Sequence, residues 1–212
     1  MRRAGEVRAE SAWTLTFIEV RADARGHAGN VLRQQAKNLR EHISWPAQIV
    51  LLQELSRPER FVLLEREEPE VSAGGGREQQ PVAELLTDEL TAPPDRRRNR
   101  GFDEVAVAAD AKADVRANVY VVAHLDIGVP DRARTAAALR QLAAAARQSA
   151  GNVRFDVWQQ TDRANHFNVI SGWISESQFY AFAASHAARD FRQTVGPLLG
   201  SPYDERLFRR VD

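Results

Sequence analysis

A polar and aromatic stretch, NHFNVISGW, extends from Asn165 to Trp173. Successive side chains of a β-strand point to opposite faces of its sheet. The stretch therefore presents two faces, one with Phe167, Val169, Ser171 and Trp173 and the other with His166, Asn168, Ile170 and Gly172. The first face is the more apolar, so we expect it to pack against helices.

The next segment, SESQFYAFAASHAARDFRQTV, is predicted to form one helix. Ser175 and Gln178 have the spacing of a capping box at its start. Phe179, Phe182 and His186 recur at i, i+3 and i+7, so they share one helical face. If this face packs on the strand, two aromatic rings and an imidazole, which titrates near neutral pH, lie opposite Trp173.

These two segments belong to an ordered set of elements in the second half of the chain. Its predicted strands are ANVYVVAHLDI, NVRFDVWQQ, HFNVISGW and RLFRRV, and an Ala-rich helix, DRARTAAALRQLAAAARQSAG, separates the first two. With the helix from Ser175, the order is β-α-β-β-α-β, which is typical of a ferredoxin-like domain.

The first half repeats this order. Its predicted strands are WTLTFIEVRAD, AQIVLLQEL, RFVLLERE and GFDEVAVA, and its helices are HAGNVLRQQAKNLREHI and PVAELLTDEL. Identical residues recur at an offset of 106, as in Phe61 with Phe167, Gln53 with Gln159 and Phe102 with Phe208. Self-similarity on this scale indicates a duplication. We predict an α+β chain of two tandem ferredoxin-like domains, residues 13–108 and 118–212.

Two such domains can cover each other's open sheet faces. A four-stranded sheet with both helices on one face leaves its other face in need of a partner layer. We therefore expect the two halves to pack as an intramolecular dimeric α+β barrel, that is, a pseudo-dimer within one chain.

Composition excludes several classes of protein. The chain has 212 residues, 43% hydrophobic, with 29 basic and 29 acidic side chains and no cysteine. Disulfides and thiolate metal sites are therefore excluded, and no apolar run approaches a membrane span. We expect a cytoplasmic protein with no membrane or nucleic-acid partner. The basic run Arg96, Arg97, Arg98 and Arg100 could contact phosphate, but the balanced charge favours a solvated loop.

The second half resembles the antibiotic biosynthesis monooxygenase (ABM) family. The matching features are the strand pair ending in Trp173, the SES helix start, the segment SHAARDF and the tail PLLGSPYDERLF. The resemblance extends over residues 118–212 and covers 13–108 only in outline. It implies a cavity between sheet and helices in each unit. Oxygenases of the family convert phenols or quinols to quinones with O2 and need no metal or organic cofactor.

The resemblance implies that Trp173 lines such a cavity. We predict Trp173 and His186 as the catalytic pair, with a substrate-binding wall of Phe167, Val169, Ser171, Phe179 and Phe182. No metal or cofactor is expected, and the expected partners are a small aromatic substrate and O2. The alternative interpretation makes Trp173 a core residue and His186 a hydrogen-bonded residue near the surface.

Two positions depart from the family pattern. Anthrone-oxidising members carry an asparagine four residues before this tryptophan, where the present chain has Val169, and Asn168 falls on the opposite face. Haem-degrading relatives carry a histidine ten residues after the tryptophan, where this chain has Ala183. Haem degradation is therefore not expected.

The opposite strand face is predicted to meet the other half of the chain. Its residues are Tyr120, His124, Asp126, Arg154, Asp156, Trp158, His166 and Asn168. His124 could form an acid–base pair with Asp126 or Asp156, and Tyr203 and Arg206 are expected to tie the last strand across the interface. Glu65 and Arg66 stand where the first half would need an aromatic, so that half is expected to be structural or to hold a degenerate pocket.

Three functions are compatible with the sequence. The first is a cofactor-independent monooxygenase that oxidises a small aromatic or quinol. The second is a non-catalytic ligand-binding or structural protein with the ABM fold, and the third is an isomerase or lyase. Fold alone does not decide between them. A further homodimer of the chain is also open.

Overall fold

The structure is a computed structural model that describes residues 12–42, 49–66, 81–102 and 117–211. Its first unit contains β1 (Ala12–Glu19), α1 (Arg25–His42), β2 (Ile49–Glu54), β3 (Arg60–Arg66), α2 (Val82–Leu85) and β4 (Asp95–Gly101). Its second unit contains β5 (Val119–Asp126), α3 (Arg132–Gln148), β6 (Asn152–Gln160), β7 (His166–Trp173), α4 (Glu176–Ala183), α5 (His186–Val195) and β8 (Asp204–Arg210). None of the helices in these ranges is long and apolar enough to cross a membrane.

The eight strands form one closed antiparallel barrel. The order around the barrel is β1-β3-β2-β8-β5-β7-β6-β4. Each unit contributes four adjacent strands in the ferredoxin-like arrangement, and the seams β2–β8 and β4–β6 join the units. The predicted α+β pseudo-dimer is therefore confirmed. The domain limits at 108 and 118 stay a prediction, because residues 103–116 lie outside the described ranges.

Three apolar clusters hold the layers together. One lies inside the barrel, where Trp13 of β1 stacks on Trp158 of β6 with ring centroids 4.7 Å apart. The other two lie between the outer sheet surface and the helices, one in each unit. Burial of apolar side chains at about 25 cal/mol per Å² is the main stabilising contribution in such layers.

The predicted faces of β7 are confirmed by this packing. Phe167, Val169 and Trp173 belong to the cluster under the second-unit helices. Ile170 points into the barrel and packs with Trp158. Strand alternation alone was sufficient for this assignment. Both faces of β7 are buried, one against the second-unit helices and the other inside the barrel.

The fourth strand of the first unit differs from the prediction. GFDEVAVA was expected to form it, but β4 is Asp95–Gly101, the arginine-rich run that was expected to be a loop. Arg97 and Asn99 turn inward while Arg96 and Arg98 are exposed. The aliphatic stems of arginine tolerate an extended, half-exposed position, and β4 is paired along both edges, with β1 and β6.

The registers also test the offset of 106 residues. Ile18 pairs with Phe61 and Leu125 pairs with Phe167, so the two phenylalanines occupy equivalent positions. Gln53 and Gln159 are equivalent for the same reason, since they pair with these phenylalanines. In contrast, Phe208 is equivalent to Asn99, so its match with Phe102 was wrong.

Two predicted helices are shorter than expected. PVAELLTDEL contains only the single turn α2. The segment from Ser175 contains two helices, α4 and α5, because Ser185 interrupts it and its hydroxyl accepts a hydrogen bond from the backbone N–H of Ala188 at 3.3 Å. The capping box at Ser175 is confirmed, since its hydroxyl accepts from the backbone N–H of Gln178 at 3.3 Å.

Candidate functional site

A cavity of about 30 Å³ lies between the outer sheet face of the second unit and its helices. We call it the helix-side cavity. Strands β5, β6 and β7 form its floor, α3, α4 and α5 cover it, and the segment entering β8 closes one side. Its principal apolar lining consists of Val121, Ala123, Leu142, Phe155, Val169, Phe179, Phe182 and Phe191.

Four of the predicted substrate-binding residues line this cavity. They are Val169, Ser171, Phe179 and Phe182. Phe167 is fully buried in the same cluster, but its ring packs edge-on against Phe102 and is not part of the lining. Strand and helix periodicity thus predicted correctly that most of these residues lie together. Their role in substrate binding stays a prediction.

Trp173 lies behind the cavity and supports its wall. The side chain is 0% exposed, and its ring stacks on Phe182 at 5.1 Å and contacts Phe179 edge-on at 6.1 Å. Its indole N–H donates to Oγ of Ser171 at 3.0 Å. Trp173 is therefore satisfied within the core and separated from the cavity by one layer of side chains.

His186 does not lie opposite Trp173, and this part of the prediction was wrong. The helix break at Ser185 changes the phase of the stripe, so His186 begins α5 instead of continuing α4. Its side chain is 84% exposed, and Nδ1 lies 2.8 Å from Oδ2 of Asp190. The i, i+7 argument required one continuous helix.

The phenolic and charged groups of the helix-side cavity come from α5 and from the segment around the start of β8. Tyr203, Glu205 and Arg192 complete its lining. The Tyr203 hydroxyl donates to Oε2 of Glu205 at 3.0 Å, and the Tyr203 ring packs edge-on against Phe191. Tyr203 was expected to cross the interface between the units, but it faces the helices of its own unit.

The environment alters the pKa of both partners. Burial, together with the neighbouring charge of Glu205, raises the pKa of Tyr203 well above its usual value, so this phenol remains a proton donor at neutral pH. Desolvation raises the pKa of Glu205, although the residue as a whole is exposed at the cavity mouth, and the Tyr203 hydrogen bond and Arg192 act in the opposite direction. A carboxylate whose pKa is raised towards neutrality is better suited to proton transfer at pH 7.

Alternation along β8 contains the signal that could have found this pair. Tyr203, Glu205 and Leu207 share one face, and the half-buried Tyr203 and Leu207 both pack against the helix-side cluster. Arg206, one position out of phase, faces the other unit as predicted and lies 3.7 Å from Glu54. The same alternation that divides the two faces of β7 places Tyr203 and Arg206 on opposite faces of the extended tail.

The barrel-facing histidines form a network that differs from the predicted acid–base pair. His124 contacts Oδ1 of Asn168 through Nδ1 at 3.0 Å and Nδ1 of His166 through Nε2 at 3.4 Å. Asp126 pairs with His166 at 3.2 Å, and Asp156 is held by Arg154. Neither carboxylate is the direct partner of His124. Burial lowers the pKa of His124, which keeps it neutral at pH 7.

The geometry defines a helix-covered cavity in a ferredoxin-like unit of a fused α+β barrel. Residues 118–194 match the sequence model of the antibiotic biosynthesis monooxygenase (ABM) family. No curated protein sequence matches the chain.

Solved structures share the complete architecture. A candidate monooxygenase from Fusobacterium nucleatum superposes with a TM-score of 0.77 at 8% identity, covering 97% of this chain and 94% of its own. An anthrone oxidase-like protein gives 0.69 at 11%, covering 97% and 93%. A haem-degrading enzyme from Listeria monocytogenes gives 0.57 at 14%, covering 93% and 98%. At these identities the similarity establishes the fold alone.

Proposed function

We propose that the second unit is a cofactor-independent monooxygenase that oxidises a small phenol or quinol with O2 in the helix-side cavity. The observation that carries the proposal is the Tyr203–Glu205 hydrogen bond at the mouth of an apolar cavity, in the unit whose residues 118–194 match the ABM family model. A cytoplasmic location and a further homodimer remain predictions alongside it.

The polar residues supply the proton transfers that such a reaction needs. Glu205 accepts the phenolic proton, Tyr203 remains protonated as a hydrogen-bond donor, and Arg192, which also lines the cavity, stabilises the resulting anion. The apolar lining keeps water from the anion and strengthens these electrostatic contacts.

The reaction balances without an added reductant. The substrate anion gives electrons to O2, and a ring carbon that carried hydrogen forms a bond to one oxygen atom. The other oxygen leaves as water, so a phenolic C–OH, a ring C–H and O2 become two carbonyl groups and one water. The substrate supplies all four electrons, and the protein supplies only positioning and proton transfer.

The size of the cavity sets a condition on substrate binding. A volume of about 30 Å³ holds only one or two water-sized molecules, so an aromatic ring must displace part of the lining. We infer that α4 moves outward when substrate binds, with the break between Ala184 and Ser185 as the hinge. Trp173 then acts as a positioning residue, because it stacks on Phe182 and so fixes the position that α4 takes when it closes over the substrate.

The test is oxygen consumption with a panel of quinols, phenols and anthrones, without added metal, combined with ¹⁸O2 labelling of the product. Glu205→Gln is expected to lower kcat by about a hundredfold or more, which is the usual contribution of a general base. Tyr203→Phe is expected to lower it less. Glu176→Gln and Tyr180→Phe, which alter exposed residues of α4 outside the lining, serve as matched controls.

Three outcomes contradict parts of the proposal. Absence of oxygen consumption with the whole panel would favour a binding or structural role. Full activity in both Glu205→Gln and Tyr203→Phe would mean that the wrong polar groups were chosen. Loss of activity in His186→Ala, with Glu205→Gln unaffected, would restore the pair predicted from the sequence.

A further inference from the structure

A second and larger pocket lies between the two units at the β2–β8 seam. Its volume is about 240 Å³, and Ala92, Pro93 and Asp95 lie at its rim. We call it the inter-unit pocket. It is separate from the helix-side cavity, because its apolar walls lie inside the barrel and come from both units: Phe17 and Val62 from the first and Val122 and Phe208 from the second.

The charged lining of the inter-unit pocket contains three arginines, each with its own carboxylate partner. Lining pairs are Arg97 with Asp95 at 2.6 Å, Arg206 with Asp204 at 2.7 Å and Arg60 with Glu19 at 3.1 Å. Arg57 also contacts Glu19, but it pairs in addition with Glu59 outside the lining. These contacts leave one carboxylate in excess, that of Glu54.

Glu54 is a buried carboxylate with one oxygen that lacks a hydrogen bond. The residue is 4% exposed, and its Oε1 accepts from the Ser56 hydroxyl. Within the described residues Oε2 has no hydrogen-bond partner. The nearest cations are Nη1 of Arg206 at 3.7 Å and Nη1 of Arg60 at 3.8 Å, and both distances exceed hydrogen-bond length.

The remaining titratable group of the lining does not supply the missing charge. His124 has a lowered pKa, chiefly through burial, and is neutral at pH 7. A buried carboxylate oxygen without a hydrogen bond is costly, and a ligand with an N–H donor and a positive charge would supply that hydrogen bond. The phenylalanine and valine walls suit an apolar body attached to that charge.

We propose that the inter-unit pocket binds a small organic ammonium compound whose N–H group donates to Oε2 of Glu54. The apolar part lies against Phe17 and Phe208, one from each unit. The neighbouring guanidinium groups repel the ligand little, because each is neutralised by a carboxylate that is closer to it than Glu54 is. This site is independent of the oxidation proposed for the helix-side cavity.

The test uses three ligands of one shape and different charge. The full chain is titrated by calorimetry with 2-phenylethylammonium, 2-phenylethanol and phenylacetate at pH 7. We expect the ammonium compound to bind at least tenfold more tightly than the alcohol and phenylacetate not to bind. Methyl NMR signals of Val62 and Val122 are expected to shift, and those of Val169 in the helix-side cavity are not.

The matched variants are Glu54→Gln and Glu59→Gln. Glu54→Gln keeps the shape of the side chain and is expected to weaken ammonium binding at least tenfold, whereas Glu59→Gln, outside the pocket, is expected to change it less than twofold. Any one of four results would overturn the proposal. These are equal affinity for the alcohol, unchanged ammonium binding by Glu54→Gln, NMR shifts confined to Val169, and no binding at millimolar ligand. If Glu54→Gln does not fold, the ligand order and the NMR shifts of the natural chain decide.

Discussion

Asn168 is expected to be a structural link between the two units, and its removal provides a quantitative test of the fold. The residue is 0% exposed. Its Nδ2 donates to Oδ1 of Asn99 in β4 at 2.7 Å, and its Oδ1 contacts Nδ1 of His124 at 3.0 Å. Asn168→Ala therefore removes the partner of two polar groups that lie in different units.

The expected cost follows from the burial of those two groups. A buried polar group left without its partner costs about 1–3 kcal/mol. Asn99 is 0% exposed and should show the full effect, whereas the half-buried His124 can be reached by water and should show the lower end. We expect a total of about 3 kcal/mol, which for a chain of this size lowers Tm by about 6–12 °C.

Urea unfolding of Asn168→Ala, Asn99→Ala and the double variant measures this directly. The double variant removes both amides, so neither is left buried without its partner. It should therefore cost at least about 1 kcal/mol less than the sum of the single variants. Asn118→Ala, which removes an exposed hydrogen bond to the Ile174 carbonyl, should cost less than about 1 kcal/mol. Additive single costs, or an Asn168→Ala cost no larger than the control, would refute the reasoning.

Three further predictions concern local structure and pH. Gly151 has a φ of +77°, and an added Cβ would meet the Gln178 side chain, so Gly151→Ala should destabilise by about 1–2 kcal/mol. Gly26→Ala, with open space in α1, should be neutral or stabilising by up to about 1 kcal/mol, and equal effects of the two variants in thermal unfolding would contradict this. Ser185→Ala should lower stability by about 1 kcal/mol through loss of the α5 N-cap, with hydrogen exchange fastest in the first turn of α5. Because the pKa of His124 is lowered in the folded chain, the unfolded chain takes up a proton at this histidine at a higher pH than the folded chain does. Its contribution to stability should therefore be complete above about pH 7 and fall as the pH drops below about 6.5. His124→Gln should reduce the difference in stability between about pH 7.5 and 5.5 that urea titrations measure.

Residue alternation was sufficient to predict the layers on the two sides of β7. The strand β7 has apolar residues on one face and mixed residues on the other, and both faces are buried in the expected layers. The duplication could be inferred from element order, and the equivalence of Phe61 with Phe167 follows from their registers.

The rest could not be obtained in this way, for separate physical reasons. β4 is held by pairing with strands on both sides, including β6 of the other unit, and its arginine composition carries no intrinsic strand signal. His186 was misplaced because a side-chain cap at Ser185 overrode helical periodicity. Tyr203 was misplaced because the predicted strand RLFRRV begins at Arg206, whereas β8 begins at Asp204, so strand alternation was not expected to reach Tyr203.

The two seams of the barrel show what fusion of the units permits. Registers make Glu54 at the β2–β8 seam equivalent to Gln160 at the β6–β4 seam, and both residues are buried. In an assembly of two identical chains, one substitution would change both ends of the barrel together. Within this single chain the ends differ, with a carboxylate at one and an uncharged amide at the other. Duplication thus allows the two ends to acquire separate ligand preferences without a change in the fold.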